Sequence, residues 1–183
     1  MTDTGYTKRA ARVLTLTEQA AGGGEQTTEH LLIALIREAE GVAGQVLTAA
    51  GLSVDRVRIT AEEVRPGCGE SSAGRFDSVG LASVGIDLAQ VRAEVERTLG
   101  PGALDRAATQ QPTLSGSLRR ALLAVSGHRS RLHHPWVGTE HLLLGALSQP
   151  DSLAVAVLTQ LGLHSAQLTA ATERRLQQLT GSR

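Results

Sequence analysis

The chain has 183 residues, 41% of them hydrophobic, and 18 basic residues balance 18 acidic ones. A chain without net charge lacks the basic field that draws proteins to nucleic acid regardless of sequence. Its one cysteine, Cys68, rules out an intrachain disulfide, and no apolar run approaches the ~18 residues of a membrane-spanning helix. Met1-Thr2-Asp3-Thr4-Gly5 lacks the basic start and apolar stretch of a secretory signal, so the expected location is the cytoplasm. Tyr6, Phe76 and Trp136 are the only aromatic residues. The core must therefore be Leu, Ala and Val, which suits closely packed helices better than strands.

In chain order, Ala10, Val13, Leu14 and Thr17 follow i, i+3, i+4, i+7 spacing and predict a first helix. A second begins at Thr28-Glu29-His30 and runs through Ile36, with Thr28 as a suitable N-cap and Glu29 at the positive end of the helix dipole. A short third helix covers Val42 to Ala50 and stops at Gly51, in the C′ position that favours glycine. Ser53 or Asp55 starts a fourth, which carries Val54, Val57 and Arg58. From Arg65 to Gly74 the composition is that of a flexible loop. The stretch Val84 to Arg92 resembles Ala50 to Arg58, which predicts an extra helix over about 87–99, closed by Gly100-Pro101-Gly102.

Beyond it the first pattern returns. Leu118, Ala121, Leu122 and Val125 are counterparts of the first-helix positions, and Thr139-Glu140-His141-Leu142-Leu143 repeats the second-helix start at an offset of 111 (140 − 29). That register holds for the next twenty residues, placing Val157-Leu158-Thr159 on Val46-Leu47-Thr48 and Gly162-Leu163 on Gly51-Leu52. The expected fold is all-α: two pseudo-symmetric four-helix repeats, 1–64 and 114–183, joined by a long linker, 65–113, that carries the extra helix.

The paired Thr-Glu-His-Leu-Leu motif, with Glu40-Gly41-Val42-Ala43, Val46-Leu47, Gly51-Leu52 and the opening Tyr6-Thr7-Lys8-Arg9-Ala10, resembles the Clp N-terminal domain, most of all that of ClpC-type unfoldases. The resemblance covers Tyr6 to Arg58 and Leu114 to Leu176. It implies an eight-helix, non-catalytic module that receives substrates and adaptors, including proteins marked by phosphorylated arginine, for an ATP-driven ring and its protease. The ring itself is not represented: no Gly-x4-Gly-Lys-Ser/Thr occurs in the chain, and Gly22-Gly23-Gly24 is followed by no lysine.

The two motifs carry the candidate chemistry. A helix N-terminus offers backbone N–H groups and partial positive charge to a phosphate, and an adjacent carboxylate can take a guanidinium in a bidentate pair. Glu29 and Glu140 would hold the guanidinium of a phosphoarginine, while Thr28 and Thr139 with their neighbouring N–H groups would hold its phosphate. Alternatively, the four residues merely cap their helices. His133, His134 and His141 lie close to Glu140, but without the H-E-x-x-H spacing of a zinc helix, and the expectation is no metal and no cofactor. Cys68 has no base within its glycine-rich loop, and no catalytic triad is present, so no catalytic residue is assigned. Arg119-Arg120 and Arg129 to Arg131 are expected on a solvated face, and Trp136 over the loop or at the ligand pocket's edge.

The functional expectation is a stand-alone binding module of the Clp system, acting as adaptor, regulator or decoy. Its partners would be degron-bearing or arginine-phosphorylated proteins, or the Clp machinery itself. The alternative is a small helical DNA-binding regulator, which the helix pairs and arginines permit, against which stand the zero net charge and the lack of a basic recognition helix.

Overall fold

Each half of the molecule starts with a hydroxyl that closes a helix. Thr7 Oγ1 accepts from the Ala10 N–H at 3.2 Å, and Ser115 Oγ accepts from the Leu118 N–H at 3.2 Å. The computed structural model describes residues 5–65, Arg97 and 113–180. Among these lie eight helices: α1 (Lys8–Ala21), α2 (Thr28–Arg37), α3 (Val42–Ala49), α4 (Val54–Val64), α5 (Gly116–Arg131), α6 (Thr139–Leu147), α7 (Leu153–Gln160) and α8 (Ser165–Thr180). The expected extra helix at 87–99, apart from Arg97, and the loop containing Cys68 lie outside the described residues. No single described helix is long and apolar enough to cross a membrane.

The boundaries follow local chemistry. Ser53 caps α4 through the Arg56 N–H, and Ser152 caps α7 through the Val155 N–H. Gly51 (φ 79°) and Gly162 (φ 76°) adopt the left-handed conformation that ends α3 and α7. In both turns the next residue reaches back, Leu52 N–H to Leu47 O at 3.1 Å and Leu163 N–H to Leu158 O at 2.8 Å. The glycine N–H bonds to Thr48 O or Thr159 O, which completes a Schellman pair. The offset between halves is 108 at the first helix (116 − 8) and 111 at the second (139 − 28). The three-residue difference falls between them, where α1 has 14 residues and α5 has 16.

The two halves interlock. The strand-like segment before α1 runs parallel to the one before α6: Thr7 N–H donates to Val137 O and Val137 N–H to Gly5 O, both at 2.8 Å. The mirror pair joins the segment before α2 to that before α5: Gln26 N–H donates to Thr113 O and Ser115 N–H to Gln26 O, again at 2.8 Å. One core spans both halves, with Leu31, Leu32 and Leu35 of α2 and Leu142 and Leu143 of α6 at 0% exposure. Burying each such leucine contributes about 1.5–3 kcal/mol, so packing across the pseudo-twofold axis holds these short helices together.

The threonines of the repeated motif do not sit where sequence reasoning puts them. Thr28 and Thr139 are the first residues of α2 and α6, and the N-cap positions belong to Thr27 and Gly138. The buried Thr28 hydroxyl accepts from the Ala154 N–H at 3.0 Å, in the first turn of α7. The buried Thr139 hydroxyl accepts from the Ala43 N–H at 3.4 Å, in the first turn of α3. Each half thus supplies a helix cap to the other. Gly41 makes room for this, because a Cβ there would collide with the Thr139 side chain and the Glu38 carboxylate.

Candidate functional site

At the start of α2, the Thr27 N–H donates to His30 Nδ1 at 3.0 Å. At the start of α6, the Gly138 N–H donates to His141 Nδ1 at 2.8 Å. The histidine of each motif is therefore a cap, doing what glutamate does in a capping box. Since Nδ1 accepts, the neutral His141 ring carries its proton on Nε2, which is buried without a partner among the described residues. Burial, and then the neighbouring His134, push the His141 pKa down to about 4.

The carboxylates of the two motifs differ. Glu29 has a side chain only 6% exposed, and its Oε2 lies 2.6 Å from a terminal nitrogen of the Arg65 guanidinium. Arg65 is the C-cap residue of α4 and lies outside the loop to which composition assigns it. Glu140 is 12% exposed; its Oε1 lies 3.5 Å from His134 Nδ1 and 3.3 Å from His141 Nδ1. The Glu140 carboxylate folds back over Gly138, where a Cβ would clash with it. Thr27 occupies the matching position in the first half and has a Cβ there, so Glu29 cannot fold back in the same way and reaches toward the end of α4.

Of the histidines that the sequence places near Glu140, the structure gathers His134 and His141 with it, their ligand-type atoms within 4.8 Å of one another, without the His133 side chain. His133 takes φ 54° and helps turn the chain after α5, so His134 meets the His141 ring edge-on at 5.0 Å. With His141 Nδ1 already accepting from Gly138, the Glu140 carboxylate and the His134 imidazole are the groups of this cluster not engaged in capping α6. Trp136 is 47% exposed on the same loop. Arg120 bonds Gln149 Oε1 and Arg131 pairs with Glu173, so these members of the arginine clusters serve surface contacts within the chain.

The sequence matches the Clp repeat (R) N-terminal domain over residues 5–80 and 128–183, and the chain belongs to that family. Among curated relatives it is 31% identical over 159 residues to a probable ATP-dependent Clp protease ATP-binding subunit of Chlamydia pneumoniae, covering 85% of this chain and 15% of that protein. It is 27% identical over 161 residues to the negative regulator of genetic competence ClpC/MecB of Bacillus subtilis, covering 86% of this chain and 15% of that protein. The chain thus spans about 15% of the length of these relatives. The fold matches the crystal structure of the N-terminal domain of the chaperone ClpD from Arabidopsis thaliana, with TM-score 0.63, 21% identity and 97% of both chains covered.

Proposed function

We propose that this chain is a non-catalytic protein-binding module of the Clp proteolytic system, working in the cytoplasm as adaptor, regulator or decoy for arginine-phosphorylated or other degron-bearing proteins. The observation that carries the reading is the Glu140 carboxylate at the start of α6. It is mostly buried, and the side chains within 4 Å of it among the described ionisable residues are the imidazoles of His134 and His141, with no guanidinium. A ligand guanidinium fits such a carboxylate, and the phosphate of a phosphoarginine fits the adjoining helix start, where Thr139 and Glu140 contribute first-turn N–H groups. Thr28 and Glu29 offer the related arrangement in the first half. In this scheme the threonines act through the main chain, since their hydroxyls serve the opposite half.

The test is calorimetric titration with phosphoarginine, with arginine and phosphoserine as controls. Glu140→Ala removes a charge-assisted pair worth about 1.5–3 kcal/mol, so affinity falls about tenfold or more. Absence of binding by the intact protein, or binding indifferent to both Glu29 and Glu140, overturns the reading.

A further inference from the structure

Between α3 and α8 the surface opens into a groove of about 870 Å³. Val46, Ala50, Leu168 and Ala171 give it an apolar lining, to which Arg174 and Arg175 add two cations. The groove comes from the residues and not from the repeat. With the offset of 111 that relates α3 to α7 (153 − 42), Ala50 corresponds to Leu161, which packs against the core. The two residues have nearly the same backbone conformation, φ −78° and ψ 2° against φ −81° and ψ 4°, each as the C-cap of its helix. The turn after α7 thus carries a leucine where the turn after α3 carries only a methyl group.

The cations of the groove lack anions. Arg175 is partly buried; its Nε and Nη2 donate to Gln45 Oε1 at 3.0 and 2.8 Å, and its Nη1 donates to Gln178 Oε1 at 3.3 Å. Both acceptors are neutral amides. Arg9, Arg65 and Arg131 each pair with a carboxylate, whereas Arg174 and Arg175 pair with none among the described residues. A guanidinium makes its strongest bonds to carboxylates, so the groove is complementary to an apolar side chain flanked by acidic ones. The chain carries such a surface on α4. Ile59 is 60% exposed there, and Glu62 and Glu63 follow at i+3 and i+4, on the same side of the helix. Both glutamates are exposed and pair with no cation among the described residues.

We propose that the groove between α3 and α8 receives α4 of a second copy of this chain, with Ile59 on its apolar lining and Glu62 and Glu63 against Arg174 and Arg175. The contact needs no ligand and is independent of the helix-start motifs. Its two surfaces differ, so it is head-to-tail: each copy offers one α4 and one groove, and association continues into a chain or closes into a ring. Such an assembly presents several copies of any site on the module in one particle, and a partner marked at several places then binds through effective concentration.

The experiment is sedimentation equilibrium of the full chain at low salt, from about 10 to about 500 μM, the range in which a small interface of micromolar-to-millimolar affinity fills. The intact chain is expected to gain apparent mass with concentration and to lose most of that gain in about 1 M salt, which screens the ion pairs. Arg174→Glu/Arg175→Glu sets like charges against Glu62 and Glu63, and Glu62→Arg/Glu63→Arg does the same from the other side. Each should weaken association by about tenfold or more, and the two changes combined in one chain should restore it. Ala50→Leu fills the groove with the side chain that Leu161 carries in the same backbone conformation, and should block association with no change of charge. It also decides the matter if the arginine variant loses helix content by circular dichroism. Ala50→Leu keeps an intact α4 and Glu62→Arg/Glu63→Arg an intact groove, so the two mixed together should form dimers and nothing larger. An intact chain that keeps its monomer mass throughout the range overturns the inference. So does association that Glu62→Arg/Glu63→Arg leaves unchanged, which gives the groove another occupant, or association that Ala50→Leu leaves unchanged, which puts the contact elsewhere.

Discussion

Replacing Thr28 with valine keeps the branched shape of the side chain and exchanges for a methyl group the hydroxyl that accepts from the Ala154 N–H at 3.0 Å. Ala154 is 1% exposed, so water does not replace the lost acceptor. An orphaned buried N–H costs about 1–3 kcal/mol, and the loss of a helix cap about 0.5–2 kcal/mol. Ser152 still caps the neighbouring Val155 N–H at 3.3 Å and limits the damage to one donor. The expected loss is therefore about 1.5 kcal/mol, or roughly 3–6 °C in Tm for a chain of this size. Thr139→Val should cost less, because its bond to the Ala43 N–H is longer, at 3.4 Å. Urea unfolding followed by circular dichroism gives the two values, and native-state hydrogen exchange reports the Ala154 amide directly. Equal costs for the two variants, or unchanged protection at Ala154 in Thr28→Val, would refute the reciprocal-cap account.

Two further outcomes are expected. His141 is held neutral with its pKa near 4, against 6.5 for an ordinary histidine. Between those values the unfolded chain takes up a proton that the folded chain does not, so stability falls as pH drops from 6.5 toward 4, by on the order of 3 kcal/mol. His141→Asn, which keeps an acceptor near the Nδ1 position, should flatten that dependence in urea titrations across the range; an unchanged slope would exclude His141 as its source. At Gly145 a Cβ would press on the Ala121 carbonyl oxygen, forcing α5 and α6 apart. Gly145→Ala should therefore lower stability by about 1–2 kcal/mol even though alanine gains ~1 kcal/mol in helix propensity, and a stabilised variant would show that this helix pair has slack.

What the sequence reveals and what it hides separate along the line between local and long-range bonding. The spacing of Ala10, Val13 and Thr17, and of Leu118, Ala121 and Val125, marks faces that are indeed buried. Gly51 and Ser53 end α3 and begin α4 as their chemistry requires. These are interactions within four or five residues, where residue type and spacing carry the information. Thr28 looks like an N-cap by the same logic, yet its hydroxyl bonds a residue 126 positions away. Nothing in its neighbours encodes that partner; it follows from the packing of one repeat on the other. Arg65 was hidden for a similar reason. Its pairing with Glu29, 36 residues earlier, depends on how α4 lies along α2, whereas composition groups it with the glycines and serines that follow. His134 is near Glu140 in the sequence, but only the turn at His133 brings its ring to the carboxylate. The candidate carboxylates themselves were legible, because a glutamate in the first turn of a helix is a local feature; the difference between them was not.

The exchange of caps between the halves has a consequence for how such a molecule arises. A single repeat exposes both an unused threonine acceptor and a first-turn N–H of its third helix that only the other repeat serves, so it is self-complementary, and two copies satisfy each other about a twofold axis. Fusing the copies turns a pairing that depends on concentration into one that occurs within a chain and survives dilution. Mixed as separate pieces, one ending at Arg65 and one starting at Thr113, the two halves should elute as one particle, and a first piece carrying Thr28→Val should rebuild it with only one cap missing.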